Sequence, residues 1–186
     1  MAPLTAPAWL VSRWFNTREP LTLEALRGRV VVLHAFQMLC PGCVSHGLPQ
    51  AQRVAGQFAD APVTVIGLHT VFEHHDVMGP AALEVFLHEY RVGFPVAVDR
   101  PSPDGDPMPQ TMRAYGMRGT PTVVLIDASG CIRQHVFGVY DDLRLGRDLG
   151  LLIAEATTGR LSPSGPDVRS AATRGCDEST CPADPD

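Results

Sequence analysis

Cys40 and Cys43, separated by Pro41 and Gly42, are the residues of this chain best suited to chemistry. They end the run Leu-His-Ala-Phe-Gln-Met-Leu-Cys-Pro-Gly-Cys that begins at Leu33. An apolar strand that runs into C-x-x-C at a helix start is the layout of a redox dithiol. The free N–H groups and positive dipole end of that helix stabilise a thiolate on the first cysteine. The two-residue spacer forms the first helical turn, so Cys43 can reach back and close a small disulfide ring. Zinc binding is the competing chemistry, because Cys43-Val44-Ser45-His46 extends the pattern to C-x-x-C-x-x-H. A structural zinc site needs four ligands, usually with a second closely spaced pair. The other pair, Cys176 and Cys181, lies in a polar tail, so we read a dithiol and no metal.

The elements that position this pair follow from hydrophobic period and turn residues. Residues 29–36 (Arg-Val-Val-Val-Leu-His-Ala-Phe) read as a buried parallel strand, and 62–69 as a second. A helix is expected from the cysteines to about Phe58, kinked by Gly47 and Pro49. Ala8–Phe15 reads as a first strand anchored by Trp9 and Trp14, and Leu21–Leu26 as a helical turn closed by Gly28. After a polar loop at 70–79 come a helix at 80–90, a short strand at 94–98 and a Pro/Gly/Asp loop at 99–109. A short helix at 110–115 leads to strand 121–127, a hairpin turn, strand 131–137 and a last helix at 141–157. The result is an α/β domain, a mixed sheet with helices on both faces. We divide the chain into an extension at 1–20, the domain at 21–158 and a disordered tail at 159–186, poor in apolar residues.

Composition narrows the partners. The chain has 186 residues, 45% of them hydrophobic, enough for one domain with a core. A net charge of −5 gives no reason to expect nucleic acid or an anionic membrane surface. No apolar run approaches the roughly 20 residues of a membrane span. The N-terminus has neither a basic segment nor a long apolar one, so a cytoplasmic location is expected, or a periplasmic one if a leader was removed. Five cysteines cannot form a fully paired framework, and in a reducing compartment a C-x-x-C is catalytic or metal-binding before it is structural.

Strand, Cys-Pro-Gly-Cys, long helix, then Gly-Thr-Pro-Thr-Val-Val-Leu-Ile-Asp before a hairpin and helix resembles the thioredoxin superfamily. The insertion between the second strand and Pro121 resembles its TlpA-type and peroxiredoxin-like (AhpC/TSA, redoxin) branch. The resemblance covers about Leu21 to Ala156. It implies a thioredoxin-like fold and a cis bond at Thr120–Pro121, where a cis-proline packs on the dithiol and exposes backbone groups to an extended substrate. The resemblance also implies a buried polar residue six positions before the first cysteine, which here is His34. At that depth a histidine is either a satisfied core residue or the base that takes the proton of Cys43. The chain departs from the family in carrying Leu39 where Trp is common, Pro-Gly between the cysteines, and the helix proline one residue late, at Pro49.

The function expected is thiol–disulfide exchange: Cys40 attacks, Cys43 resolves, and the reversible Cys40–Cys43 disulfide is the redox group, with no cofactor. Thr120, Pro121, Pro41, Gly42 and Arg118 would face the substrate, a protein or small-molecule disulfide or dithiol. A thioredoxin or glutathione system would supply reductant. One alternative is a peroxidase in which Cys43 attacks peroxide, since Pro-Gly-Cys also resembles one peroxiredoxin branch. The polarising Thr and Arg of that site are absent, Cys40 and Pro121 standing in their places. A metal-binding module on the same fold is the other. The loop Glu73-His74-His75-Asp76 reads as a wall near the dithiol, and Cys131 as an apolar filler. Cys176 and Cys181 read as an incidental tail pair or as a shuttle dithiol.

Overall fold

The computed structural model describes residues 4–160. Seven strands form: β1 (Leu4–Thr5), β2 (Val11–Phe15), β3 (Val30–Phe36), β4 (Val63–His69), β5 (Val96–Asp99), β6 (Thr122–Ile126) and β7 (Cys131–Phe137). They make one mixed sheet in the order β1-β7-β6-β3-β4-β5-β2. β3 lies at the centre, and all seven of its residues are buried. Its run of valines suits a strand covered on both faces. β4 runs parallel to it, with His34 opposite Gly67 and Phe36 opposite His69. β6 runs antiparallel, with His34 opposite Val123. The N-terminal segment supplies both outer strands, β1 against β7 and β2 against β5.

Four helices cover the sheet: α1 (Leu48–Gln57), α2 (Pro80–Glu89), α3 (Gln110–Ala114) and α4 (Asp142–Arg160). Strand alternation sorts the core into two clusters. Val30, Val32 and Phe36 of β3 face Leu48, Ala51 and Val54 of α1, Leu83 and Leu87 of α2, and Leu145, Leu149 and Leu152 of α4. Val31, Leu33 and Ala35 face Met112 of α3, Met117, Leu23 and Leu26, with Trp9 and Trp14 packed at the edge. The two tryptophan rings meet edge to face at 6.0 Å.

Residues 21–26 form the expected helical turn, in which the Leu26 amide donates to the Thr22 carbonyl (3.2 Å) and the Ala25 amide to Thr22 Oγ1 (3.2 Å). Gly28 ends the segment at φ +84°. Two expectations change. The first strand is shorter than 8–15 and begins at Val11. Asp99 belongs to a strand and holds the start of α3. Its carboxylate accepts the amides of Thr111 (2.8 Å) and Met112 (2.9 Å) and the Thr70 hydroxyl (3.0 Å), which caps α3 from across the loop. The tail at 161–186, with Cys176 and Cys181, lies outside the described residues. Among the described residues no helix is long and apolar enough to cross a membrane.

The core also holds two histidines. His34 and His69 are each 1% exposed, and burial lowers both to a pKa of about 4. The His69 ring packs on Phe36 (5.3 Å between centroids), and neither of its nitrogens has a hydrogen-bond partner. The unfolded chain binds a proton at each histidine below about pH 6.5, whereas the folded chain does so only below about 4. Stability should therefore be full above about pH 6.5 and fall as the pH drops from there to 4, by up to about 3 kcal/mol for each histidine. Urea unfolding at pH 7 and pH 5 checks this, and His69→Leu should lose less stability over that interval than the parent.

Candidate active site

β3 ends at Phe36, and the chain then crosses Gln37, Met38 and Leu39 to reach Cys40. The amides of Cys43 and Val44 both donate to the Cys40 carbonyl (3.0 and 3.1 Å), which starts the helix on Cys40. The Cys43 amide also donates to Cys40 Sγ (3.3 Å), and Sγ meets the Thr120 carbonyl at 3.5 Å. Cys40 is half-buried and Cys43 fully buried, and both are free thiols. A sulfur that accepts a backbone N–H at a helix start is held where negative charge is favoured. Cys43 has the opposite environment. Burial, then its contact with Cys40, push its thiol up to about 12, against the pull of the Gln37 backbone and the Thr120 side chain. The two sulfurs are therefore unequal by position, which a nucleophile and a resolving thiol require.

The helix is continuous through the cysteines but has a wide π-helical turn at Cys43–Gly47 before α1. Pro49 explains it. Proline has no N–H to give the carbonyl four residues back, and its ring pushes that carbonyl away. The Leu48 amide bonds to the Cys43 carbonyl instead, five residues back. The sequence predicts a kink at Gly47 and Pro49, and the structure resolves it as this turn. Gly47 has a packing reason besides. A Cβ there would lie 2.6 Å from His34 Cε1, 2.7 Å from Nε2 and 3.3 Å from Pro121. The imidazole fills the space a side chain would take. Gly42 likewise lies under Pro121, where a Cβ would sit 3.4 Å from Cδ. The Thr120–Pro121 bond is cis.

His34, Cys40, Cys43, Gly42, Thr120 and Pro121 thus come together. Pro41 starts the helix beside them, and its carbonyl accepts the Ser45 hydroxyl (2.7 Å). Arg118 is exposed, and its guanidinium lies over the Phe137 ring at 5.3 Å. Phe137 covers Gly119 in turn, so Arg118 sits on the rim beside Thr120. The 73–76 loop reaches the site through Gln37, whose side chain donates to Glu73 Oε1 (3.3 Å) and accepts the Phe72 amide (3.4 Å). Sequence reasoning passed over Gln37, although a lone glutamine between a buried strand and a C-x-x-C is a visible signal. It also missed Gln50, which donates to the Tyr140 carbonyl and to Asp142 Oδ1 (both 2.6 Å) and ties α1 to the loop before α4. Among the described residues no group of three or more His, Cys, Asp or Glu side chains is placed to hold a metal ion.

A mixed sheet with a dithiol at the first helix and a cis-proline beside it defines a protein of thioredoxin-like fold. A solved thioredoxin-like superfamily protein superposes with a TM-score of 0.78 at 53% identity, over 81% of this chain and 96% of that one. A thiol-disulfide isomerase from Corynebacterium glutamicum superposes with a TM-score of 0.76 at 52% identity, over 80% and 97%. The AhpC/TSA family model matches residues 5–135, and the chain belongs to that family. Curated relatives are more distant. Protein DipZ of Mycobacterium bovis is 28% identical over 70% of this chain, which spans only 18% of DipZ. The thiol-disulfide oxidoreductase ResA of Halalkalibacterium halodurans is 24% identical over 67% of this chain and 64% of its own length.

Alkylation of the reduced protein at neutral pH should modify Cys40 before Cys43, read site by site from peptide masses, with Cys43 close to inert even in Cys40→Ser. Gly47→Ala should cost about 1–3 kcal/mol through overpacking. His34→Ala should relieve most of that penalty, giving a coupling measurable by urea unfolding of the four proteins in the cycle.

Proposed function

We propose that this protein is a thiol–disulfide oxidoreductase whose redox group is the Cys40–Cys43 pair, without a cofactor. The observation that carries this reading is the inequality of the two sulfurs. Cys40 is half-buried at a helix start with the Cys43 amide on its sulfur, and Cys43 is buried behind it. The names of the solved relative at 52% identity and of ResA support it. Cys40 thiolate attacks a disulfide sulfur of the substrate, whose other sulfur leaves as a thiolate. Cys43 then attacks Cys40, closing the Cys40–Cys43 bond and releasing the second substrate sulfur. The substrate disulfide is reduced by two electrons and the dithiol oxidised by two. Substrates are protein or small-molecule disulfides, and a thioredoxin or glutathione system returns the dithiol. An extended substrate segment lies against Thr120, Pro121, Pro41 and Gly42, with Arg118 at the rim.

The resolving step needs a base, and His34 is the base in this reading. It is neutral at working pH because burial holds it near 4. Burial raises the Cys43 thiol and lowers the His34 imidazole, so proton transfer from one to the other is uphill in the free dithiol. The gap narrows in the mixed disulfide, where Cys40 has no thiol to raise Cys43.

The family match to AhpC/TSA favours a peroxidase as the second reading. Burial of Cys43 and its raised thiol argue against that cysteine as the attacking group. Insulin reduction and peroxide consumption by the reduced protein separate the two. Insulin should be reduced faster, and Cys43→Ser should accumulate a mixed disulfide on Cys40. Peroxide turnover that outpaces insulin reduction and survives Cys40→Ser would overturn the proposal.

A further inference from the structure

Arg118 is exposed on the rim beside Thr120, and among the described residues no carboxylate and no hydrogen bond holds its guanidinium. Other cations around the site are committed. A cleft of about 290 Å3 beside Pro121 is lined by buried His34, and its arginine, Arg53, pairs with Asp142 at 3.0 Å. Arg144 and Arg147 both reach the buried carboxylate of Asp148. His46 shares a hydrogen bond with the Ser45 hydroxyl (2.7 Å). Arg118 keeps its charge free at the end of the molecule that carries the dithiol.

Its place is fixed all the same. Met117 before it is buried in the core. The Gly119 carbonyl after it accepts the Thr122 hydroxyl (2.7 Å). The Pro121 carbonyl accepts the Gly138 amide (2.8 Å), which ties the end of β7, and so Phe137, to the cis-proline segment. A Cβ on Gly119 would lie 2.9 Å from the Phe137 ring, so glycine lets the ring settle over the backbone there. The Arg118 guanidinium then lies over that ring at 5.3 Å. An aromatic face takes the flat side of a guanidinium and leaves the N–H donors free around its edge. Those donors match the two oxygens of a carboxylate.

We propose that Arg118, held on the Phe137 ring, is a specificity-determining residue that selects disulfides carrying a carboxylate beside the reacting sulfur. The selection rests on the exchange reading above, in which the substrate lies along Thr120 and Pro121. The Thr120 carbonyl meets Cys40 Sγ at 3.5 Å, so a sulfur that reaches Cys40 brings its neighbouring groups to the Arg118 edge. A side chain already resting on a ring loses little freedom when the carboxylate arrives. The net charge of −5 repels an acidic partner at a distance, but salt screens that repulsion beyond about 10 Å. The discrimination is therefore made on contact. The carboxylate comes from an acidic residue next to a protein cysteine, or from a small thiol such as glutathione.

Two pairs of disulfides test the selection. One pair is two peptides that differ only in Glu or Gln beside the cysteine; the other is glutathione and its dimethyl ester. Each is supplied as its mixed disulfide with thiopyridine. Cys40 of the reduced full chain attacks the peptide or glutathione sulfur, and thiopyridine leaves, takes a proton and is followed by absorbance. The readout is the ratio of second-order rate constants, acid over neutral, in which a change in the reactivity of Cys40 itself cancels. In at least one pair the parent ratio should exceed that of Arg118→Gln about fivefold, and Arg118→Glu should lie lower still. The parent ratio should also shrink as salt rises. An effect in the peptide pair alone makes proteins the source of the carboxylate, and one in the glutathione pair alone makes it a small thiol; either supports the selection. Equal ratios in parent, Arg118→Gln and Arg118→Glu for both pairs overturn it and leave exchange by Cys40 and Cys43 standing. No release of thiopyridine from any of the four overturns the exchange reading and the selection with it.

Discussion

The site depends on one close contact, the His34 ring against the bare Cα of Gly47, where no side chain could stand. It fixes how near the helix start approaches β3, and so how deep Cys43 is buried. The same approach brings Gly42 under Pro121 and sets Cys40 against the Thr120 carbonyl. Two glycines therefore replace side chains with neighbours from a strand and from the cis-proline segment. Pro49 adds the wide turn that lets the helix pass Gly47 without a break.

Within that frame a single helix start gives two cysteines different chemistry. The first sits where the dipole ends and an amide points at it, and the second one turn inside, where water is absent. No charged side chain is needed to separate them. Desolvation raises Cys43, and two polar contacts, from the Gln37 backbone and Thr120, limit the rise. The polar residues around the pair brace it. Gln37 ties the strand end to the 71–73 segment, and Gln50 ties α1 to the loop before α4, so both sides of the site are cross-linked to the helix or strand that carries the thiols.

Two large apolar side chains near the site are exposed, Leu39 and Phe137. Leu39 is 57% exposed beside Cys40, and Phe137 carries the Arg118 guanidinium on its ring. A rim of that kind suits a partner that brings its own backbone and buries apolar area on contact. This fits the exchange reading, in which the substrate contributes an extended segment at Thr120 and Pro121.

The strand at 30–36, the dithiol, the helix after it and the sheet-plus-hairpin end were legible because each has a local cause: β-branched runs, a C-x-x-C before a helical period, a Ser-Gly turn. The order of residues alone places His34 in a buried strand six positions before Cys40. It could not say what the imidazole touches, since Gly47 and Pro121 are far along the chain and meet it only after α1 and β6 pack. The helical turn at 21–26 was legible for a local reason too: Thr22 caps its start and a left-handed glycine closes it. A strand near Val11–Phe15 was legible from its pattern, but only the sheet shows that it and Leu4–Thr5 close the two outer edges. The burial of Cys43 and the cleft behind His34 came from packing and from nothing local. They are distances between segments, and no short-range pattern of residues encodes those.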